Sequence, residues 1–196
     1  ISAPRLHELV PAANAIVMDW IDAPPLRNAL WRSAFSNEDK LAYVASAAKW
    51  LRGFHESTGI EHKPINFFKL IDQLTNRLNE CPIAVDQMKD GDLFFNAFSR
   101  LQKFGSSAPP LAPHAKLHGD FTPSNVLIQK GDAIGIDIWG VRYGPVFEDA
   151  ARMLTYLGIN SPFALKRAPL VNDDKTSAVF NAFVSGYGPD LMQAED

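Results

Sequence analysis

Residues 118–128 read HGDFTPSNVLI and residues 129–137 read QKGDAIGID, and the fold turns on how this stretch is read. Val126-Leu127-Ile128 is a short apolar run, Gly131-Asp132 is a turn-forming pair, and Ala133-Ile134-Gly135-Ile136 is a second apolar run. Two such runs flanking a turn predict an antiparallel β-hairpin. Strands of similar length return the chain to the end from which it started, so the hairpin brings Asp137 back beside Asn125. A carboxylate and an amide oxygen then converge, with Asp120 on the same loop ahead of Asn125.

That convergence has a chemistry. A small set of oxygen ligands, with room left for water and phosphate, suits magnesium, which is commonly held by one or two carboxylates and the phosphates of a nucleotide. Asp120 lies near such a metal yet remains able to accept a proton from an attacking hydroxyl. Asp and Asn beside Gly, Pro and Ser are also what ordinary turns contain. The position of Asp137 behind the hairpin is what tips the reading from turn to site.

Outward from this stretch the texture changes. Upstream, Leu41, Val44, Ala48, Leu51 and His55 recur at spacings of three and four, with Ser36 as N-cap and Glu38 and Asp39 in the first turn. Phe67, Leu70, Ile71, Leu74 and Leu78 predict a second helix. Phe94, Ala97, Phe98 and Leu101 predict a third, broken at Gly105-Ser106-Ser107 and two prolines. Ala15 to Ile21 reads as a strand that runs into a rigid Pro24-Pro25 connector. Downstream, helical period returns at Phe147, Ala150, Met153, Leu154 and Leu157, and again around Val179, Ala182, Phe183 and Tyr187.

Composition sets the outer bounds. The 196 residues are 46% hydrophobic and 21% charged, the balance of a soluble globular protein with one compact domain. A net charge of -3, without blocks of one sign, implies neither nucleic acid nor an anionic membrane surface as partner. Cys81 is the sole cysteine, which excludes an internal disulfide and a thiolate metal cage and fits a reducing, cytoplasmic setting. Ile1 to Val10 does not resemble a signal peptide, and no apolar run approaches the roughly 18 residues that span a bilayer.

His-Gly-Asp-x4-Asn, a β-hairpin, then an apolar-flanked Asp resembles the catalytic segment of the aminoglycoside and choline phosphotransferases, small-molecule kinases related to protein kinases. The resemblance implies Asp120 as catalytic base, Asn125 and Asp137 as magnesium ligands, ATP as phosphate donor and a small-molecule hydroxyl as acceptor. It implies that His118 shapes the loop and that Asp149, in a Gly144-Pro145-x-x-x-Asp149 stretch, anchors it. Ile16 to Leu26 is similar to the last strand and hinge of the amino-terminal lobe, whose main chain reads adenine, with Asp19, Trp20 and Ile21 at the hinge. Trp50-Leu51 through His55 resembles a Trp-Leu-x-x-Leu-His helix end, with Phe54 in place of the leucine, and Phe183 to Tyr187 resembles Phe-x-x-Gly-Tyr.

The fold so implied is α+β, a protein-kinase-like carboxy-terminal lobe, mostly α-helical with one small β-hairpin. Residues 1–22 would be the remnant of the amino-terminal lobe and residues 23–196 the helical lobe with the catalytic loop at 118–125. A glycine-rich loop and a nucleotide-binding lysine are expected of such a kinase. Here the first glycine is Gly53 and the first lysine Lys40, both beyond the hinge, so the sequence reads as an inactive fragment of a longer protein. Gly119 stands where protein kinases carry Arg, and the short run from Asp137 to Asp149 leaves no long activation segment, which disfavours a polypeptide substrate.

Several residues carry weaker signals. His118, between an apolar residue and Gly, reads as a buried structural histidine rather than a proton carrier, and His55 as core or loop support. Trp20, Trp31, Trp139 and Tyr143 read as packing residues rather than a cage for a quaternary ammonium. Arg142 reads equally as a phosphate or substrate-acid contact and as a solvated cation. The Asp173-Asp174 pair reads as a helix start. Rival functions are a kinase-like binding or scaffold protein and a magnesium-dependent hydrolase; the second lacks the carboxylate cluster for another metal.

Overall fold

The structure, a computed structural model, describes residues 2–32, 37–80, 91–105, 111–138, 142–160 and 174–188. Ser36, Cys81, Ser106, Ser107, Trp139 and Asp173 lie outside the described residues. In chain order the elements are β1 (Leu6–Val10), β2 (Ala15–Met18), α1 (Leu26–Arg32), α2 (Asn37–Ser57), β3 (Glu61–Pro64), α3 (Phe67–Asn79) and α4 (Gly91–Gly105). Beyond them come β4 (Leu111–Lys116), β5 (Val126–Gln129), β6 (Asp132–Gly135), β7 (Tyr143–Pro145), α5 (Phe147–Asn160) and α6 (Asp174–Tyr187). The chain divides into two compact units, Ile1–Glu61 with Pro113–Gln193, and His62–Ala112 with Ala194–Asp196.

The first unit is organised on α2. Val44, Ala47, Ala48, Leu51, Phe54 and His55 are buried on one face, the three-and-four spacing of a helix that packs along its whole length. α6 lays Val179, Phe183 and Tyr187 against it, and the β5–β6 hairpin adds Val126, Ile128 and Ala133 to the same core. Each fully buried aliphatic or aromatic side chain here contributes about 1.5–3 kcal/mol. The Ala133 amide donates to the Ser46 hydroxyl at 3.0 Å, which pins the hairpin to α2 directly.

The hairpin pairs Val126 with Gly135, Leu127 with Ile134, Ile128 with Ala133 and Gln129 with Asp132. Its two-residue turn is therefore Lys130-Gly131, one position earlier than the Gly131-Asp132 pair suggests. Both turn residues have positive φ, 53° and 92°, the twist that a two-residue hairpin needs, and Asp132 is drawn into the ladder.

The strand expected over Ala15 to Ile21 is β2 and ends at Met18, ahead of the prolines, and the chain beyond Pro24-Pro25 is a helix as well as a connector. The amides of Asn28 and Ala29 donate to the Pro25 carbonyl, and α1 buries Leu26, Ala29 and Leu30. Its entry is fixed by the Ile128 amide donating to the Pro24 carbonyl at 2.9 Å. Among the described residues the architecture is mixed α and β, with three small sheets rather than a single hairpin. β1 was invisible in sequence because LHELV has no buried face to pattern. β4 contains Pro113 and β7 is only Tyr143–Pro145, so neither carries strand alternation. β4 nevertheless pairs Ala115 with Gly144 and Lys116 with Tyr143, bringing the two ends of the 117–142 segment together.

In the second unit α3 is capped by Asn66, whose side chain accepts from the Lys69 amide at 2.9 Å, and it packs on α4. No described helix is long and apolar enough to cross a membrane.

Candidate active site

The loop after β4 is held by one carboxylate. Asp149, two residues after the start of α5 and only 2% exposed, accepts the His118 amide on Oδ2 at 2.7 Å and the Gly119 amide on Oδ1 at 3.1 Å. Both amides face it because Gly119 turns the chain at φ 86°, a conformation that strains any residue with a Cβ. Burial pushes the Asp149 carboxyl up, but the hydrogen bonds from His55, His118 and Gly119 outweigh it and leave the group below the usual carboxylate value.

His55 on α2 continues the network. Its Nε2 lies 3.2 Å from Asp149 Oδ2 and its Nδ1 2.8 Å from the Tyr187 hydroxyl at the end of α6. All three side chains are buried. The catalytic-loop candidate is therefore tied through Asp149 and His55 to both long helices of the core.

Below the loop sits an aromatic cluster. Trp50 stacks on Phe54 with centroids 5.5 Å apart and on Phe121 at 5.9 Å, and the His118 ring meets it edge-on at 5.9 Å. His118 is fully buried; burial holds its pKa below the ordinary histidine value, against the charge of Asp149. Its Nδ1 accepts a long 3.4 Å contact from the Asp120 amide, and its Nε2 has no hydrogen-bond partner among the described residues. The buried ring thus packs within the aromatic cluster under the loop.

Asn125 links the loop to the end of the hairpin. Asn125 Nδ2 donates to both the main-chain oxygen and Oδ2 of Asp120, each at 2.9 Å. The Asn125 carbonyl accepts the Ile136 amide at 3.0 Å, one residue before Asp137, so the hairpin does return Asp137 to Asn125. Asp137 is exposed and has φ 55°, a left-handed conformation that Asp tolerates better than most residues. Because the Asn125 amide nitrogen is engaged by Asp120, its oxygen is the group's remaining ligand atom. One amide oxygen and one exposed carboxylate fit a magnesium ion that keeps most of its shell for water and phosphate. Among the described residues no cluster of three or more His, Cys, Asp or Glu offers a fuller cage.

Arg152, one helical turn beyond Asp149, places Nη1 3.5 Å from Asp120 Oδ1, and both side chains are nearly half exposed. Nothing in the sequence pattern singles it out; its spacing of three from Asp149 is the one signal present. Arg142, read as either ligand or solvated cation, instead pairs with Glu148 through both guanidinium nitrogens, and the pairing raises its pKa.

The hinge candidates lie elsewhere in the unit. Asp19 closes the β1–β2 hairpin: its carboxylate accepts the Arg5 amide at 3.0 Å and meets His7 Nε2 at 2.6 Å, and its own amide donates to the Arg5 carbonyl. The hydrogen bond with His7 lowers the Asp19 pKa. Trp20 is 90% exposed, and the Ile21 carbonyl accepts the Ala23 amide.

A short loop anchored by a buried carboxylate, with its Asn bonded to its Asp and the hairpin returning the main chain to that Asn one residue before Asp137, matches the arrangement expected of a phosphotransferase. Residues 3–187 match the phosphotransferase enzyme family, APH, and the chain belongs to that family. Among solved structures of similar fold is a glucosamine kinase (crystal form B), at TM-score 0.63 and 18% identity, covering 90% of this chain and 49% of that one. Another is a glucosamine kinase in complex with glucosamine, ADP and inorganic phosphate, at TM-score 0.65 and 16% identity, covering 90% and 48%. The chain thus spans about half the length of these structures. No curated protein matches its sequence.

Proposed function

We propose that the protein is an ATP-dependent kinase that phosphorylates a hydroxyl of a small molecule such as a sugar, an amino alcohol or an aminoglycoside. The observation that supports this reading is the bonding of Asn125 to Asp120 on one loop, together with the Ile136 amide on the Asn125 carbonyl, which brings the main chain back to Asn125 one residue before Asp137. In the proposed reaction the acceptor oxygen forms a bond to the γ-phosphorus, the bond from that phosphorus to the leaving ADP oxygen breaks, and Asp120 takes the hydroxyl proton. Asn125 and Asp137 hold magnesium, whose chemistry there is to neutralise charge on the phosphates. His118 and Asp149 keep the loop in shape, and the main chain around Asp19, Trp20 and Ile21 reads the adenine.

In this reading residues 1–22 close an amino-terminal lobe and residues 23–196 form the helical lobe. The protein works in the cytoplasm in this reading. The sugar held with ADP by one of the kinases of similar fold makes sugars the first acceptors to try.

The test is phosphoryl transfer from magnesium-ATP by the full-length gene product across hydroxylated sugars and amines. Wild-type turnover on at least one acceptor, reduced about 10²–10⁴-fold or more in Asp120→Ala, is the expected result. No turnover and no nucleotide binding would move the assignment to a non-catalytic binding or scaffold protein.

A further inference from the structure

Asp120 has two carboxylate oxygens, and they differ. Oδ2 is tied to Asn125 Nδ2 at 2.9 Å, within the loop. Oδ1 faces outward to Arg152 Nη1 at 3.5 Å. On the phosphotransferase reading, Oδ1 is the oxygen left to an incoming hydroxyl, and the guanidinium stands beside the groups that flank that hydroxyl on the acceptor.

We propose that Arg152 is the residue that selects the acceptor by charge, favouring molecules whose groups beside the transferred hydroxyl are neutral or anionic and rejecting those with an ammonium there. The proposal rests on the phosphotransferase reading above. Arg152 suits the role physically. A guanidinium is a planar cationic fork that bonds hydroxyl, carbonyl or carboxylate oxygens while offering nothing to an ammonium. It is 45% exposed, so the side chain has room to turn from Asp120 Oδ1 onto the acceptor when the hydroxyl arrives. As an exposed ion pair the contact adds little to stability, so the effect of substitution at this position falls on catalysis rather than folding. An amino group remote from the transferred hydroxyl lies beyond this contact and is tolerated, which separates monoamino sugars from densely cationic aminoglycosides.

The experiment uses the full-length protein with magnesium-ATP and three acceptors on one sugar ring, bearing a hydroxyl, an amine or a carboxylate beside the phosphorylated position, as located by NMR of the product. The wild type is expected to show kcat/KM at least tenfold lower for the amine than for the other two, expressed mainly in KM. Arg152→Lys should keep that order, Arg152→Gln should flatten it and Arg152→Glu should reverse it, with nucleotide affinity unchanged throughout. The ratio between acceptors is the readout, because a second carboxylate beside Asp120 lowers turnover on all of them. An order that is the same in wild type, Arg152→Gln and Arg152→Glu overturns this inference and leaves the kinase assignment standing. Absence of nucleotide binding and of ADP release with every acceptor overturns both.

Discussion

The first unit contains two small antiparallel hairpins, β1–β2 and β5–β6, and they could hardly be used more differently. In β1–β2 nearly every residue is exposed, including Leu6, Leu9, Ile16, Val17 and Met18, and the register is irregular between Leu6 and Glu8. In β5–β6 the register is continuous, and Val126, Ile128, Ala133 and Ile134 are buried at 0–7% exposure. An isolated hairpin is marginal in water, so its precision comes from what it packs on. β5–β6 takes its rigidity from α2 and uses it to place Asn125 and Asp137. β1–β2 is held mainly by the Arg5, His7 and Asp19 contacts at its open end and presents apolar side chains outward.

The sharpest way to test that contrast is to cut the anchor beneath the rigid region. Asp149→Asn removes a buried charge that three donors share and should destabilise the chain by about 3–5 kcal/mol in chemical denaturation. The pH dependence carries the same signature. A carboxyl whose folded pKa is depressed stabilises fully above its unfolded value of 3.8, and that contribution is lost as pH falls through the lower folded value. The variant should therefore show a shallower loss of stability below about pH 4 than the wild type. Equal slopes in the two proteins would mean that the Asp149 network is not held in solution.

Gly135 tests the packing of the same hairpin. A Cβ there would lie 2.2 Å from the Trp50 ring, so Gly135→Ala forces either the indole or β6 to move. The expected cost is about 1–3 kcal/mol, with weakened magnesium-nucleotide affinity in the full-length protein because Asp137 comes two residues later. Unchanged stability would show that the hairpin is looser than its register implies.

The smallest effect is expected in the other hairpin. Val17→Ala in this 196-residue chain should change stability by no more than about 0.5 kcal/mol, since Val17 is 45% exposed. If the same substitution costs clearly more in a longer gene product, the outward face of β1–β2 is covered there, as the two-lobe reading requires.

Much of this was legible in the chain itself. The α2 stripe, the helices around α3, α5 and α6, the β5–β6 hairpin and the return of Asp137 to Asn125 follow from period, turn residues and strand length, all of them properties of neighbours in sequence. The same local grammar placed the hairpin turn one residue late and missed α1, because Gly-Asp and Pro-Pro are stronger punctuation than the positions they finally occupy. The short strands β1, β4 and β7 escaped because they bury too little of one face to leave a pattern.

The amino-acid order by itself determined where the loop and the hairpin lie and which residues they carry, since a motif of fixed spacing and a hairpin are local objects. Tertiary structure alone decided how that loop is supported and what faces it. Tyr187 reaches His55 across 132 positions, His55 reaches Asp149 across 94, and Arg152 meets Asp120 only because α5 runs past the loop. Contacts of that range depend on how helices pack, and no local pattern encodes which side chains will meet when they do.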